Sequence, residues 1–92
     1  MYHVFFSNQY KKSLKLISRH KDFDVGKHKE IVRSLKSGDV LNQKYKDHEL
    51  KGEYSGIREC HIQNDILLLY RKDKDVLILI LVDIGTHSYL FE

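Results

Sequence analysis

The stretch Val76-Leu77-Ile78-Leu79-Ile80-Leu81-Val82 decides the fold of this chain. All seven of its positions are apolar, which predicts a β-strand that is covered on both faces and paired along both edges. A run of this length is far shorter than the roughly 20 residues that a membrane-spanning helix needs. We therefore expect it to be a central strand in the sheet of a soluble protein.

Two further segments with strand character precede this run. Residues 57 to 62 and 66 to 71 are rich in large apolar side chains, and we place the third strand at residues 76 to 83. The connections between the three are short and polar, which is typical of an antiparallel meander. The free edge of the third strand still needs a partner, and the apolar segment from Tyr2 to Phe6 is the one that remains.

The first half of the chain predicts two amphipathic helices. Residues 8 to 20 carry apolar side chains with helical spacing after a possible N-cap, Ser7, and residues 25 to 36 repeat the pattern before Gly38. The predicted fold class is therefore α+β, in the order β-α-α-β-β-β, with both helices packed on one face of a small, largely antiparallel sheet. We expect residues 1–92 to form a single domain, because a second core would need roughly 50 residues of its own.

Composition narrows the class of protein and its compartment. The single cysteine, Cys60, cannot form an intrachain disulfide, which favours a reducing compartment. Sixteen Lys and Arg against thirteen Asp and Glu give a net charge of +3, a mild preference for anionic partners such as nucleic acid. The N-terminus shows no secretory signal pattern. We expect a cytoplasmic protein without a membrane partner.

Strand polarity predicts a cluster of polar side chains at one end of the sheet. The first and third strands of the meander run in the same direction, so His61, Asp65 and the segment Gly85-Thr86-His87 gather there. Alternation directs Glu59 and His61 to one face and Arg58 to the other. Two imidazoles suit RNA cleavage without a metal ion, because one accepts a proton while the other donates one. Histidines that merely bond to backbone groups at strand ends are the simpler alternative.

Four blocks of the second half resemble the YafQ branch of the RelE/ParE toxins. In chain order they are Tyr45–Gly52, Gly56–Ile62, Asp65–Tyr70 and Gly85–Phe91. The resemblance implies a RelE-like fold and a type II toxin that cuts mRNA in the ribosomal A site. Because paired imidazoles can transfer both protons, we expect neither a cofactor nor a metal. The resemblance also implies three partners, namely a cognate antitoxin protein, the ribosome and mRNA.

The resemblance further implies roles for individual residues. His87 would be the general acid at the departing 5′-oxygen, and Phe91 would stack on or position a base. Two histidines and a carboxylate would form the base side and hold the scissile phosphate, and one more carboxylate lies at a functional position of the family. These four residues are His48, His61 and Asp65, and then Glu59.

Basic residues near these positions are candidates for binding RNA phosphates. Lys46 and Lys51 flank the first block's histidine, and Arg58 offers a bidentate contact although alternation turns it away from Glu59. Two other functions stay open at this point. One is a ParE-like toxin that inhibits DNA gyrase by binding, which would have no need of three imidazoles. The other is a plain RNA- or protein-binding module.

Overall fold

A five-stranded mixed sheet organises the chain, and the computed structural model describes all of residues 1–92. The sheet has the order β1-β5-β4-β3-β2, in which β1 runs parallel to β5 and every other pair is antiparallel. Its strands are β1 His3–Phe6, β2 His48–Glu49, β3 Arg58–Gln63, β4 Ile66–Asp73 and β5 Ile78–Gly85. The α+β class, the meander and the pairing of the N-terminal segment with the third meander strand are thereby confirmed.

Three α-helices complete the fold, α1 Asn8–Ile17, α2 Val25–Ser37 and α3 His87–Phe91. The two N-terminal helices were predicted, and their caps are those expected from the sequence. The Ser7 hydroxyl accepts from the backbone N–H of Tyr10, and Gly38 ends α2 in the left-handed conformation, with φ of 86°. No helix combines the length and the apolar character that crossing a membrane requires.

Strand β5 begins two residues later than the apolar run predicts. The carboxylate of Asp73 accepts from the backbone N–H groups of Asp75 and Val76, and Leu77 adopts a left-handed φ of 55°. This turn chemistry outweighs the strand preference of two apolar residues. The prediction that both faces of the strand are covered was also wrong for one face, because Ile78, Ile80 and Val82 are only half-buried, whereas Leu79 and Leu81 on the other face are fully buried.

The first helix is shorter than predicted, and two short elements were not predicted at all. Helix α1 ends at Ile17, where bonds from the N–H of Arg19 to Leu16 and from His20 to Ile17 tighten the chain into a turn. The two residues of β2 and the five of α3 are too few for a periodic signal. Both elements turn out to carry predicted site residues.

One apolar cluster lies between the helices and the sheet. A bulge at Val82 shifts the register, so that Leu69 faces Asp83 while Tyr70 faces Leu81. Because of this extra residue, Leu81 and Ile84 both contact the helix side although they are three positions apart.

Cys60 is fully buried in the same cluster, where burial raises the pKa of its thiol to about 12. The opposite side of the sheet carries Glu59 and His61, which alternate with Cys60 and Ile62 along β3. Neither α1 nor α2 covers this side, and we call it the open face.

Helices α1 and α2 are joined by a polar contact within this cluster. The Tyr10 hydroxyl lies 2.7 Å from Nε2 of the half-buried His28. Burial, and then the charge of Lys29, lowers the pKa of His28 from its ordinary 6.5. The folded protein therefore favours the neutral ring.

Lowering the pH should weaken the fold through His28. The unfolded chain takes up a proton near pH 6.5, whereas the folded one does so only at lower pH. Stability contributed by the neutral ring is therefore complete above about pH 6.5 and is lost as the pH falls through the folded-state pKa. The advantage in unfolding free energy of the wild type over His28→Gln, measured in urea, is expected to shrink between about pH 8 and pH 5. A difference that is constant over this range would contradict the assignment.

Candidate active site

His48, Glu59 and His61 meet on the open face across strands β2 and β3. His48 stands directly opposite Glu59 in the antiparallel ladder, and His61 follows two residues later, so all three share one face. Nε2 of His48 lies 3.6 Å and Nε2 of His61 lies 3.4 Å from the same oxygen, Oε1 of Glu59. One carboxylate oxygen therefore lies within ion-pair distance of two imidazoles.

Glu59 is the most buried member of this group. Its side chain is 8% exposed, against 51% for His48 and 30% for His61. Its ion-pair partners in the structure are these two rings. A carboxylate that has left water gains most from a neighbouring positive charge. An imidazolium on either ring would therefore face a buried carboxylate.

The orientation of His48 is fixed by a backbone carbonyl. Its Nδ1 lies 2.6 Å from the carbonyl oxygen of Lys46, and a carbonyl only accepts, so Nδ1 is the donor. Lys46 reaches this position through a left-handed backbone conformation, with φ of 52° and ψ of 41°. In the neutral ring the basic lone pair is therefore on Nε2, which is the nitrogen that faces Glu59.

His87 occupies the same end of the sheet as His61, as strand polarity predicts. Leu67 pairs with His61 on one side and with Gly85 on the other, so both strand ends lie beside one turn. The backbone N–H of His87 donates to Oδ1 of Asp65 at 3.2 Å. Asp65 therefore anchors the start of α3.

Phe91 belongs to a small aromatic group with His87. Its ring centre lies 5.0 Å from that of His87 and 5.3 Å, edge to face, from that of Tyr54. His87 is exposed and Phe91 half-buried, so one surface presents an imidazole beside a phenyl ring. Tyr54 was not predicted for this group, because it lies in the loop before β3, where no periodic pattern points to it.

Tyr89 fastens α3 to the body of the protein. Its hydroxyl lies 2.9 Å from Oγ of Ser13 and 3.3 Å from Nε2 of Gln9, both on α1. Its ring packs so closely on Gly85 that a Cβ there would come within 2.5 Å of Cδ2. Sequence reasoning missed this contact; the one signal was Ser13, a serine buried on the apolar side of α1.

The basic candidates divide between the two faces of the sheet. Lys46, with Lys27 and Lys44, lines a surface cavity of about 290 Å³ beside His61. Lys51 is exposed at the other end of β2. Arg58 does not join this group, because its Nε bonds to Asp47 and Tyr70 on the helix side of the sheet. Lys27, on α2, is an addition that only the folded structure reveals.

Nearly the whole chain matches one known protein family. The sequence model of a family described as the bacterial toxin of a type II toxin–antitoxin system, YafQ, matches residues 2–92. The chain belongs to this family.

Relatives and solved structures match over nearly the whole chain. The mRNA interferase toxin YafQ of Escherichia coli K12 is 38% identical over 89 residues, which cover 94% of this chain and 91% of the relative. A copper-bound mutant toxin from Helicobacter pylori has a TM-score of 0.90 and 31% identity, over 99% of this chain and 100% of that one. YafQ in the E. coli DinJ–YafQ complex has a TM-score of 0.87 and 29% identity, with 100% of both chains covered.

Gly85→Ala should displace α3 and with it His87. The new methyl group would lie 2.5 Å from the Tyr89 ring, closer than real contacts allow, and such overpacking typically costs about 1–3 kcal/mol. Urea unfolding of Gly85→Ala, Tyr89→Ala and the double variant measures the coupling. We expect the double variant to be more stable than the two single losses predict. Gly26→Ala is the matched control, because its Cβ meets only Oδ1 of Asp24 at 3.5 Å. Strictly additive losses would contradict this reading of the Tyr89 contact.

Proposed function

We propose that this protein is an mRNA endonuclease, the toxin of a type II toxin–antitoxin pair, which cuts the transcript in the ribosomal A site. The observation that carries the proposal is the convergence of His48 and His61 on the buried carboxylate of Glu59, at the sheet end where α3 presents His87. The 38% identity to an E. coli protein named as an mRNA interferase toxin supports the same activity.

The proposed reaction uses the neighbouring ribose as nucleophile. A base removes the proton of the 2′-hydroxyl, the 2′-oxygen forms a bond to phosphorus, and the bond from phosphorus to the 5′-oxygen breaks as an acid protonates that oxygen. The products are a 2′,3′-cyclic phosphate and a free 5′-hydroxyl. No oxidant and no second substrate are needed, and two imidazoles of opposite protonation suffice near neutral pH.

The base side of the reaction falls to His48, His61 and Glu59. Nε2 of His48 is the free basic nitrogen, because Nδ1 donates to the Lys46 carbonyl. The proton that it accepts faces Oε1 of Glu59, and His61, whose Nε2 lies 3.4 Å from the same oxygen, is proposed to act in its protonated form beside the scissile phosphate. A cation at that place offsets the charge that develops on the phosphate oxygens.

The acid side falls to His87, with Phe91 in support. Asp65 joins it here instead of the base side that the resemblance implies, because its carboxylate accepts from the backbone N–H of His87. His87 is exposed at the start of α3, where its ring is accessible to a departing oxygen. Asp65 holds the backbone of His87 in place, and Phe91 offers a face on which a base can stack. Stacking of this kind tolerates any base, so it positions the RNA strand without fixing its sequence.

Lysines on both sides of β2 are proposed to bind the RNA backbone. Lys46 and its neighbours at the cavity beside His61, and Lys51 at the opposite end of the strand, place positive charge along the path to the histidines. Such contacts would weaken with added salt and be indifferent to sequence.

The proposed partners are a cognate antitoxin, the ribosome and mRNA. The antitoxin is supported by the solved complex of the E. coli relative YafQ with DinJ. The ribosome and the transcript follow from the proposed reaction, which belongs in the cytoplasm where both are found. Gyrase inhibition is not favoured, because it gives no use to imidazoles that converge on a buried carboxylate.

Loss of His87 tests the proposal directly. Primer extension on a reporter mRNA after brief induction is expected to show discrete in-frame cuts for the wild type and at least about 100-fold fewer for His87→Ala, the usual contribution of an acid–base group. Stability should stay within about 1 kcal/mol, since His87 is exposed. His3→Ala, which removes an exposed histidine on β1, should cut like the wild type. Growth arrest without cuts would refute the proposal.

We also propose that cleavage needs no transition metal, although the H. pylori relative was solved with copper. The physical reason is that the imidazoles and Glu59 supply both proton transfers themselves. Cleavage on programmed ribosomes is therefore expected to persist in 1,10-phenanthroline, which removes copper and zinc but leaves the magnesium that ribosomes need. Inhibition by the chelator, reversed by adding zinc or copper, would overturn this part of the proposal.

A further inference from the structure

Directly behind the histidines, on the helix side of the sheet, three polar side chains form a closed group. The Tyr70 hydroxyl donates to Oδ1 of Asp47 at 2.5 Å. Nε of Arg58 lies 3.3 Å from the same Oδ1 and 3.3 Å from the Tyr70 oxygen. Arg58 and Tyr70 are ladder partners on β3 and β4, whereas Asp47 immediately precedes β2. We call this group the Asp47 cluster.

The Asp47 cluster keeps fixed charges near neutral pH. Tyr70 is only 1% exposed, and burial, followed by the bond to Asp47, raises the pKa of its phenol. Partial burial lowers the pKa of Arg58, but hydrogen bonds to Tyr70 and Asp47 and the charge of Asp47 outweigh that and raise it overall. The phenol thus stays a donor and the guanidinium a cation. The cluster is suited to holding a geometry and unsuited to moving protons.

That geometry bears on His48, the residue next to Asp47. Strand β2 has only two residues and lies at the sheet edge, where its ladder pairs are His48 with Glu59 and Glu49 with Arg58. So short a strand supplies few hydrogen bonds to fix its own position. Alternation sends the side chain of Asp47 to the helix side and that of His48 to the open face. An anchored Asp47 therefore fixes the place from which His48 reaches Glu59.

We propose that Asp47, Arg58 and Tyr70 are positioning residues for His48, holding its Nε2 beside Glu59 from the far side of the sheet. The inference rests on the proposed function, in which His48 accepts the proton of the ribose hydroxyl. It also gives Arg58 a different role from the phosphate contact that its sequence position indicates. Arg58 acts through Asp47 and does not touch the RNA.

Tyr70→Phe tests the proposal, since it removes one hydroxyl and keeps the buried ring. We expect single-turnover cleavage on programmed ribosomes to slow about 10-fold, in the range typical of outer-shell partners, with KM nearly unchanged. The NMR titration of the His48 ring should shift, while that of His87 stays as in the wild type. Tyr2→Phe is the matched control, because Tyr2 is also buried and its hydroxyl makes no hydrogen bond within the protein.

Substitution of Asp47 separates geometry from charge. Asp47→Asn keeps an oxygen that accepts from Tyr70, so it should retain most of the activity, whereas Asp47→Ala should lose at least as much as Tyr70→Phe. Two results would overturn the proposal. In one, Tyr70→Phe leaves both cleavage and the His48 titration unchanged. In the other, the signals of His61 and His87 move as much as that of His48, which would indicate a general loss of packing.

The titration also separates this inference from the proposed function. A wild-type protein that cuts no mRNA would refute the nuclease assignment. A selective change in the His48 signals of Tyr70→Phe would still show that the Asp47 cluster controls that ring.

Discussion

The pairing of β5 on both edges is the constraint on which the rest of the structure depends. Strand β1 lies along one side and β4 along the other, so β5 joins the first strand of the chain to the meander. The bulge at Val82 then lets Leu81 and Ile84 face the helices together. Beyond that bulge the strand ends at Gly85, and α3 starts two residues later. The position of His87 is thus set by how the central strand packs.

The fold could be predicted from long hydrophobic patterns in the sequence, and the location of the site from the direction of the strands. The apolar run at residues 76 to 82 and two helical repeats were enough for the α+β order. The meeting of His61, Asp65 and His87 followed from direction alone, and the bond from His87 to Asp65 agrees with it. These inferences succeeded because periodicity and direction are properties of the chain itself. The roles assigned to the residues remain proposals.

What the sequence could not predict depends on contacts between distant segments. Strand β2 forms because His48 and Glu49 pair with β3, and two residues are too few to give a strand signal in the sequence. Helix α3 is placed by Tyr89, whose partner Ser13 is 76 positions away. The apolar run failed at its start for the opposite reason, because a local carboxylate, Asp73, captured the backbone of the turn. Hydrophobic periodicity predicts elements of about ten residues or more. It does not predict structure that depends on the contacts of a single side chain.

The parallel pairing of β1 with β5 has a consequence for the timing of synthesis. His3 pairs with Ile78, so the first strand made has no partner until the ribosome has added most of the chain. A nascent chain that ends before residue 78 also leaves the apolar sides of both helices without the strand that α1 packs against most. Such long-range pairing is slow and must wait for its last participant. The sheet, and the candidate site that it carries, therefore form only after nearly the whole chain has been synthesised. The cell thus has an interval between the start of translation and the appearance of a folded toxin.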